Sequence, residues 1–481
     1  MADGHRRRHR PADGMGALSA VVGLKIRSRA TISELRVTPI AFADPPLLNS
    51  DGVHEPHVLR AVLELVVDDG RGGEVIGLGE CTGHSFQLDW LNLVGAYLVG
   101  RSVFDTAGLR ALVDRLLLGE DESVDASPNA SWRRWADRPR AEGSPSAESR
   151  GAAPLPAALF DRRRVYSALE VACLDAQGRL LGVPVVDLLG GRVRTAVPYS
   201  GYLFYKWAEH PATGSAAAIA DEWGAALDPA GIVRQAERMI SLYGFGSLKL
   251  KGGVFPPDEE VAAIRALNTA FPGVPLRIDP NTAWTLKTSL RVARELEGVL
   301  EYLEDPVRGF EAMGVVARST SIPLATNMVV VSLETIRPAI EHGSVQIVLA
   351  DHHYWGGLRG TTTLGDVCIA AGFGLSMHSN SHLGISLAAM THAAAATPNL
   401  AYACDTHYPW NAASDIVLPG ALRFVDGAVP VPDEPGLGVE IDGARLAERH
   451  ADYLALGREH RNDTAYLRRV QPGLDLALPR W

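Results

Sequence analysis

Short apolar runs alternate with helix-like stretches through the second half of the chain, and the runs all end in the same way. SLKL, PLRI, LEYL, IPLA, QIVLA, GLSM and LAYAC each lead into a polar or ionisable group. Those groups are Lys249 and Lys251, Asp279-Pro-Asn281, Glu304-Asp305-Pro306, Thr326-Asn327, Asp351, His378-Ser-Asn380 and Asp405-Thr-His407, at intervals of 23 to 28 residues. A strand, a turn, a helix and a return loop fill a length of that order. Apolar runs of this kind, bounded by turn residues, suit parallel strands buried on both faces. The segments between them predict helices over 230–243, 258–270, 286–297, 311–319, 333–342 and 359–372, with another over 443–456. A closed parallel barrel beginning near Tyr199 gathers every strand end at one mouth, where such barrels carry their chemistry.

Upstream the pattern changes. Residues 32–40, 59–67 and 75–79 read as strands, the last following the turn DDGRGG, and helical stretches follow at about 86–118 and 158–184. This predicts a smaller α+β capping domain over 31–195 beside a barrel over 196–425, with a C-terminal segment, 426–481, returning to the cap. Residues 1–30 are expected to be a disordered tail. Residues 119–154, rich in Ser, Ala, Pro, Arg and Glu, are expected to be a mobile insertion. Trp132 and Trp135 are the residues in it equipped to dock locally.

Composition narrows the class. A length of 481 residues accommodates a barrel and a smaller domain. The net charge of −10 argues against non-specific nucleic-acid binding. Cys81, Cys173, Cys368 and Cys404 are dispersed and form no CxxC pair, so a reducing cytoplasm is the expected compartment. No apolar run reaches the roughly 18 residues of a transmembrane helix. The arginines at 6–8 precede only a mildly apolar stretch with no convincing cleavage site, so export is not expected.

The strand-end groups divide by chemistry. Asp279, Glu304 and Asn327 end three consecutive strands and offer the oxygen set that a hard divalent cation prefers, with Mg²⁺ the expected ion. Asp305 and Glu311 are rival ligands lying off the strand end. Lys249 and Lys251 alternate on one strand and face the same side. Their mutual repulsion is expected to depress an ammonium pKa and suit one lysine to general-base work. Asp351 and His378 end neighbouring strands, where the carboxylate can fix the imidazole tautomer. His352 and His353 receive no assignment. A metal flanked by a base on each side fits proton abstraction α to a carboxylate. The glycines of GLGE, GFGS and GLGVE lack a strand–GxGxxG–helix setting, and HSNSH lacks the glutamate of HExxH.

The motifs KLK, DPN, EDP, ATN, Asp351 and HSNSH, with the run ALEVACLDAQGRLLGVPVVDLLGG, resemble the enolase superfamily and, within it, the glucarate dehydratase subgroup. The resemblance implies a (β/α)7β modified TIM barrel with an α+β capping domain. It also implies a Mg²⁺-dependent dehydratase of acid sugars, converting D-glucarate to 5-dehydro-4-deoxy-D-glucarate. Lys251 and the His378–Asp351 dyad inherit the two base roles, and Lys249 that of a contact to the substrate carboxylate. His54, Ser102, Tyr202, Asn281, Ser379, Asn380, His407 and Arg461 resemble substrate-contacting positions. A small-molecule acid sugar is the expected partner and a homo-oligomer the expected assembly. The loop HHYWGGLRG after Asp351 and the interval from Glu304 to Asn327 depart from the family pattern and leave the sugar acid open. An epimerase or racemase, a dehydratase of another aldarate or aldonate, and a non-catalytic relative are the alternatives.

Overall fold

The computed structural model describes residues 30–118, 157–212 and 217–481; the expected tail and insertion, with Trp132 and Trp135, lie outside them. Three strands form an antiparallel meander, β1 (Thr31–Ala43), β2 (His57–Asp68) and β3 (Glu74–Thr82). Against it lie the helices Ser85–Gly95, Thr106–Leu118 and Ala157–Leu181. The expected single stretch at 86–118 is therefore two helices. Between them Gly100, at φ 81°, takes a left-handed conformation that a glycine enters without steric cost.

A second sheet curls into the barrel. It comprises β4 (Ala196–Phe204), β7 (Leu248–Lys251), β8 (Leu276–Asp279), β9 (Leu300–Glu304), β10 (Leu324–Thr326), β11 (Ile347–Ala350), β12 (Gly374–Met377) and β13 (Cys404–Thr406). The strand numbers 5 and 6 belong to a short hairpin, Glu209–His210 with Ile219–Ala220. Neighbours in the sheet run β12-β11-β10-β9-β8-β7-β4-β13, all parallel. A parallel bridge between Leu375 and Leu400 and the bond from Ser376 Oγ to Ala403 O (2.9 Å) bring β12 against the β13 segment and close the ring. A helix follows each of the first seven barrel strands, and directly after β13 comes only the four-residue helix Tyr408–Asn411, which is the (β/α)7β pattern.

Six of the seven crossover helices match the expected positions. The exception is Gly384–Ala396, which the sequence pattern does not announce. Nearly every residue of it is buried, so it carries no polar face and no amphipathic period. At the C-terminus the helix Gly443–Leu456 returns toward β1, where His450 Nδ1 lies 2.7 Å from Pro39 O. Among the described residues no helix is long and apolar enough to cross a membrane.

Candidate active site

Strand register sets the depth of the functional groups. Lys251 pairs with Asp279 across β7 and β8, and Ala325 with Glu304 across β10 and β9. The ends of β7, β8, β9 and β10 thus stand at a common level around the mouth.

On this side charges meet directly. Lys249 Nζ lies 2.5 Å from Glu304 Oε2, 2.6 Å from Asp405 Oδ2 and 3.9 Å from Asp279 Oδ2, with no exposed side-chain surface. Lys251 Nζ lies 2.6 Å from Asp279 Oδ2 and donates to Asn281 Oδ1 at 3.2 Å, and its side chain is 12% exposed. The two lysines do share a face, and the ammonium depression expected of one of them is not found at Lys249. Burial pulls its pKa down, yet Asp405, Glu304, Tyr202 and Asp279 outweigh that and hold it well above the ordinary lysine value. The Lys249 side chain is fully buried among these carboxylates. Its charge acts through its carboxylate partners.

The oxygen set fits a divalent cation. Glu304 is fully buried, and burial together with Asp279, Asp405 and Asp305 pushes its pKa well above the usual carboxylate value despite Lys249. Glu304 Oε2 is ion-paired with Lys249, while Glu304 Oε1 and Asn327 Oδ1 are buried without a hydrogen-bond partner. Orphaned buried oxygens of this kind carry a desolvation cost that a bound ion removes. Asp279 completes the set. Its Oδ1 accepts from Asn281 N at 2.9 Å, and Tyr202 Oη donates to its Oδ2 at 3.3 Å. The rival Asp305 is committed elsewhere, accepting from Thr326 Oγ1 at 2.5 Å and from Asn327 N at 2.9 Å. It braces the β10 end, and burial raises its pKa to about 7. Glu311 lies exposed in the first turn of the helix Phe310–Ala317. Asn281, Thr282 and Asp305 all have positive φ (51°, 62° and 36°), strain that side chains other than glycine tolerate where a site demands it.

Across the ring stands a different apparatus. Asp351 Oδ2 lies 3.2 Å from His378 Nδ1, and Asn380 Nδ2 donates to the same oxygen at 3.3 Å. Asp351 Oδ1 accepts from His353 N at 2.9 Å and lies 2.8 Å from His353 Nδ1. Burial alone would raise the Asp351 pKa, but His353 and His378 hold it well below the ordinary value. Asp351, His352 and His353 bring one carboxylate and two imidazoles within 4.8 Å of one another. This group is rich in nitrogen, and Asp351 and His353 are already joined to each other. It suits Mg²⁺ less well than the oxygen set does.

A cavity of about 230 Å³ opens between cap and barrel, and His54, Arg60, Tyr354, Asn380, His407 and Arg461 line it. Asp44 Oδ2 joins two of these, at 2.9 Å from His54 Nδ1 and 2.6 Å from Arg461 Nη1. Asp463 holds the other edge of the Arg461 guanidinium through Nε at 2.7 Å. His407 packs edge-on to Tyr202 at 4.8 Å, and its Nδ1 lies 3.1 Å from Ser379 Oγ. Ser102 is not brought to this group. It sits before the helix Thr106–Leu118, where its hydroxyl accepts from Phe104 N at 3.3 Å and its backbone bridges Thr31.

Several residues here escaped the sequence reading. His353 and Tyr354 lie two and three residues after Asp351, and proximity to a strand-end acid was the available signal. Tyr354 Oη accepts from Asn380 Nδ2 at 2.9 Å and from Arg164 Nη2 at 3.1 Å. Asp405 stood among the strand ends but had no role until the ring closed beside Lys249. Arg60 and Glu80 were marked only by being charged within apolar strands.

Comparison with known proteins identifies relatives of this fold. Residues 231–445 match a family model described as enolase C-terminal domain-like. A protein of Streptomyces coelicolor, named as a probable glucarate dehydratase, is 50% identical over 94% of this chain and 99% of its own length. The structure of an enolase from Mycobacterium smegmatis complexed with tartrate is 52% identical, with a TM-score of 0.83, over 94% of this chain and 99% of that one. An enolase from Thermobispora bispora complexed with magnesium and formate is 49% identical, also with a TM-score of 0.83, over 94% of this chain and 100% of that one.

Proposed function

The chain belongs to the enolase superfamily, and from that premise we propose that it is a Mg²⁺-dependent dehydratase of acid sugars whose substrate is D-glucarate. The observation that carries the reading is the pairing of an oxygen set at Asp279, Glu304 and Asn327 with a lysine and a histidine on opposite sides of one mouth. The relative named as a probable glucarate dehydratase supports the substrate, and the magnesium-bound relative supports the ion.

Asp279, Glu304 and Asn327 would hold Mg²⁺, which when bound supplies positive charge to stabilise an enediolate. Lys251 and His378 approach the substrate from opposite faces, so either can take the proton α to a carboxylate according to the substrate's configuration. His378 has its Nδ1 turned to Asp351, which leaves Nε2 for proton transfer. Protonated, it gives that proton to the β-hydroxyl as the C–O bond breaks and water leaves. The enol then tautomerises to a 2-keto-3-deoxy acid, which for D-glucarate is 5-dehydro-4-deoxy-D-glucarate. His54, Arg461, Asn380, Ser379, His407, Asn281 and Tyr202 would orient the acid sugar. Arg461 is held rigid by Asp44 and Asp463, which keeps its orientation fixed for a carboxylate. The proposal includes a cytoplasmic homo-oligomer, with four free buried cysteines in keeping with a reducing compartment.

The test is a screen of purified protein with Mg²⁺ against hexarates and aldonates, reading 2-keto acid. Turnover of D-glucarate is expected. Activity confined to another acid sugar would replace the substrate, and no activity across the panel would overturn the dehydratase reading. The two opposed bases also suit an epimerase, which deuterium uptake from D₂O without keto-acid formation would reveal.

A further inference from the structure

The cap carries two buried charges that the chemistry above leaves unused. Arg60 on β2 and Glu80 on β3 are each 2% exposed, and Arg60 Nε donates to Glu80 Oε1 at 2.8 Å. β3 lies unusually close to the helix Ala157–Leu181. A Cβ at Gly77 would stand 2.0 Å from Ala172 O, and one at Gly79 would stand 2.3 Å from Ala168 O. Alternation puts Glu80 on the opposite face of the strand, toward the barrel.

There Glu80 joins Asp415, which accepts from Gly384 N at 2.9 Å, in satisfying the start of a barrel helix. The helix Gly384–Ala396 has no side-chain cap at its N-terminus, since Leu383 occupies the capping position. Glu80 accepts from Leu383 N through Oε1 and from Ser386 N through Oε2, both at 3.0 Å. An anionic group satisfying the orphan N–H groups of a first turn is well suited to that end of the helix dipole. Cap and barrel are thereby registered on each other beside β12.

The contacts continue to the base. Arg60 Nη2 lies 3.5 Å and Ser386 Oγ lies 3.1 Å from His353 Nε2. A guanidinium has donors only, so the ring nitrogen facing it is an acceptor and the proton rests on Nδ1. That Nδ1–H, with the His353 backbone N–H, occupies Asp351 Oδ1. Oδ2 is left for His378 Nδ1 and Asn380.

We propose that the cap sets the His378 base through His353. Arg60 and Glu80 hold His353 in the tautomer that fills one oxygen of Asp351, so the other oxygen orients His378. His353 is on this account a positioning residue, and the claim rests on reading His378 as a base. Lys251 receives less such support, because its partners Asp279 and Asn281 both belong to the barrel and the cap touches them at Asn281 Nδ2, which donates to Ser50 Oγ at 3.1 Å. A fault at His353 should therefore slow proton abstraction on one face of the substrate only.

The experiment uses His353→Phe and His353→Asn in the full chain with Mg²⁺. Asparagine can present an N–H near the position of Nδ1, and phenylalanine cannot. Wash-out of the α-hydrogen into D₂O is followed for two epimeric acid sugars, one exposing that hydrogen to His378 and the other to Lys251. His353→Phe should lose about 10–100-fold on the His378 face while staying near the wild-type rate on the Lys251 face. His353→Asn should recover most of the loss. Equal losses on both faces, or no loss on either, would overturn the proposal. Nitrogen-15 spectra of the His378 ring give a readout free of turnover. The Nδ1–H tautomer should dominate in the wild type and give way in His353→Phe, and an unchanged tautomer would also overturn it. If the wild type handles no acid sugar, the functional reading fails and the spectra alone decide the role of His353.

Discussion

The two sides of the barrel mouth hold their bases by different means. On the lysine side, ammonium groups and carboxylates meet at 2.5–2.6 Å with no polar spacer, and the charges order one another. On the histidine side, a single carboxylate is shared between two imidazoles and an amide, and hydrogen-bond direction does the ordering. The first arrangement is built from barrel residues, with the cap meeting it at Asn281 through Ser50. The second extends into the cap through Arg60 and Glu80. A base that works by tautomer needs its surroundings to choose a nitrogen, whereas a lysine has only one.

The largest effects should come from the bases themselves. Lys251→Ala and His378→Ala should each lower turnover by roughly 10²–10⁴-fold with the fold intact. Wild-type turnover in either variant, read by keto-acid formation, would remove that residue from the mechanism and end the two-sided comparison. Asp351→Asn should damage only the histidine side, by a factor within the same range, which epimer-resolved exchange can check.

Next come the oxygens between the two sides. Asn327→Ala removes one of the buried, unpartnered acceptors and should weaken Mg²⁺ binding by about 10–100-fold. Calorimetric titration measures this without turnover, and unchanged affinity would exclude Asn327 as a ligand. A smaller effect is expected at Tyr354→Phe, which deletes the hydroxyl that holds Asn380 and Arg164. One such hydrogen bond contributes about 1 kcal/mol, so kcat/KM should fall several-fold, with the loss concentrated on the His378 face.

Acid should separate the sides most gently. Burial drives the His382 pKa down to about 4, so between the ordinary histidine value and pH 4 the unfolded chain binds the extra proton and the fold does not. Stability on the histidine side is therefore present above pH 6.5 and is lost as pH falls through 4, by at most about 3 kcal/mol for this residue. Lys249 behaves oppositely. Its pKa is raised, so its contribution is complete below the ordinary lysine value and is lost only as pH rises past the folded value. Thermal melts of wild type and His382→Gln over pH 4–6.5 should show a shallower slope in the variant, and equal slopes would remove His382 from the account.

Much of this was legible in the residues because function sits where apolar runs stop. Asp279 and Glu304 end buried strands and Asn327, Asp351 and His378 directly follow them, and a parallel barrel has one mouth to receive them. What was not legible depended on closure. Nothing near Lys249 announces that Asp405, from the far end of the chain, will stand 2.6 Å away. Local repulsion with Lys251 therefore could not show that these carboxylates raise the Lys249 pKa. The helix Gly384–Ala396 was hidden by being buried on every side. The role of Glu80 was hidden because a carboxylate capping another domain's helix leaves no spacing rule in either segment. Arg60 in LRAVLELVV and Glu80 in GLGEC were conspicuous only as charges in apolar strands.

The most direct measurement is the anomalous scattering of Mn²⁺ exchanged for magnesium in crystals of the full chain. The account predicts one strong peak coordinated by Asp279, Glu304 and Asn327, lying between Lys251 and His378. A peak held instead by Asp351, His352 and His353, or none at the oxygen set under saturating metal, would contradict it.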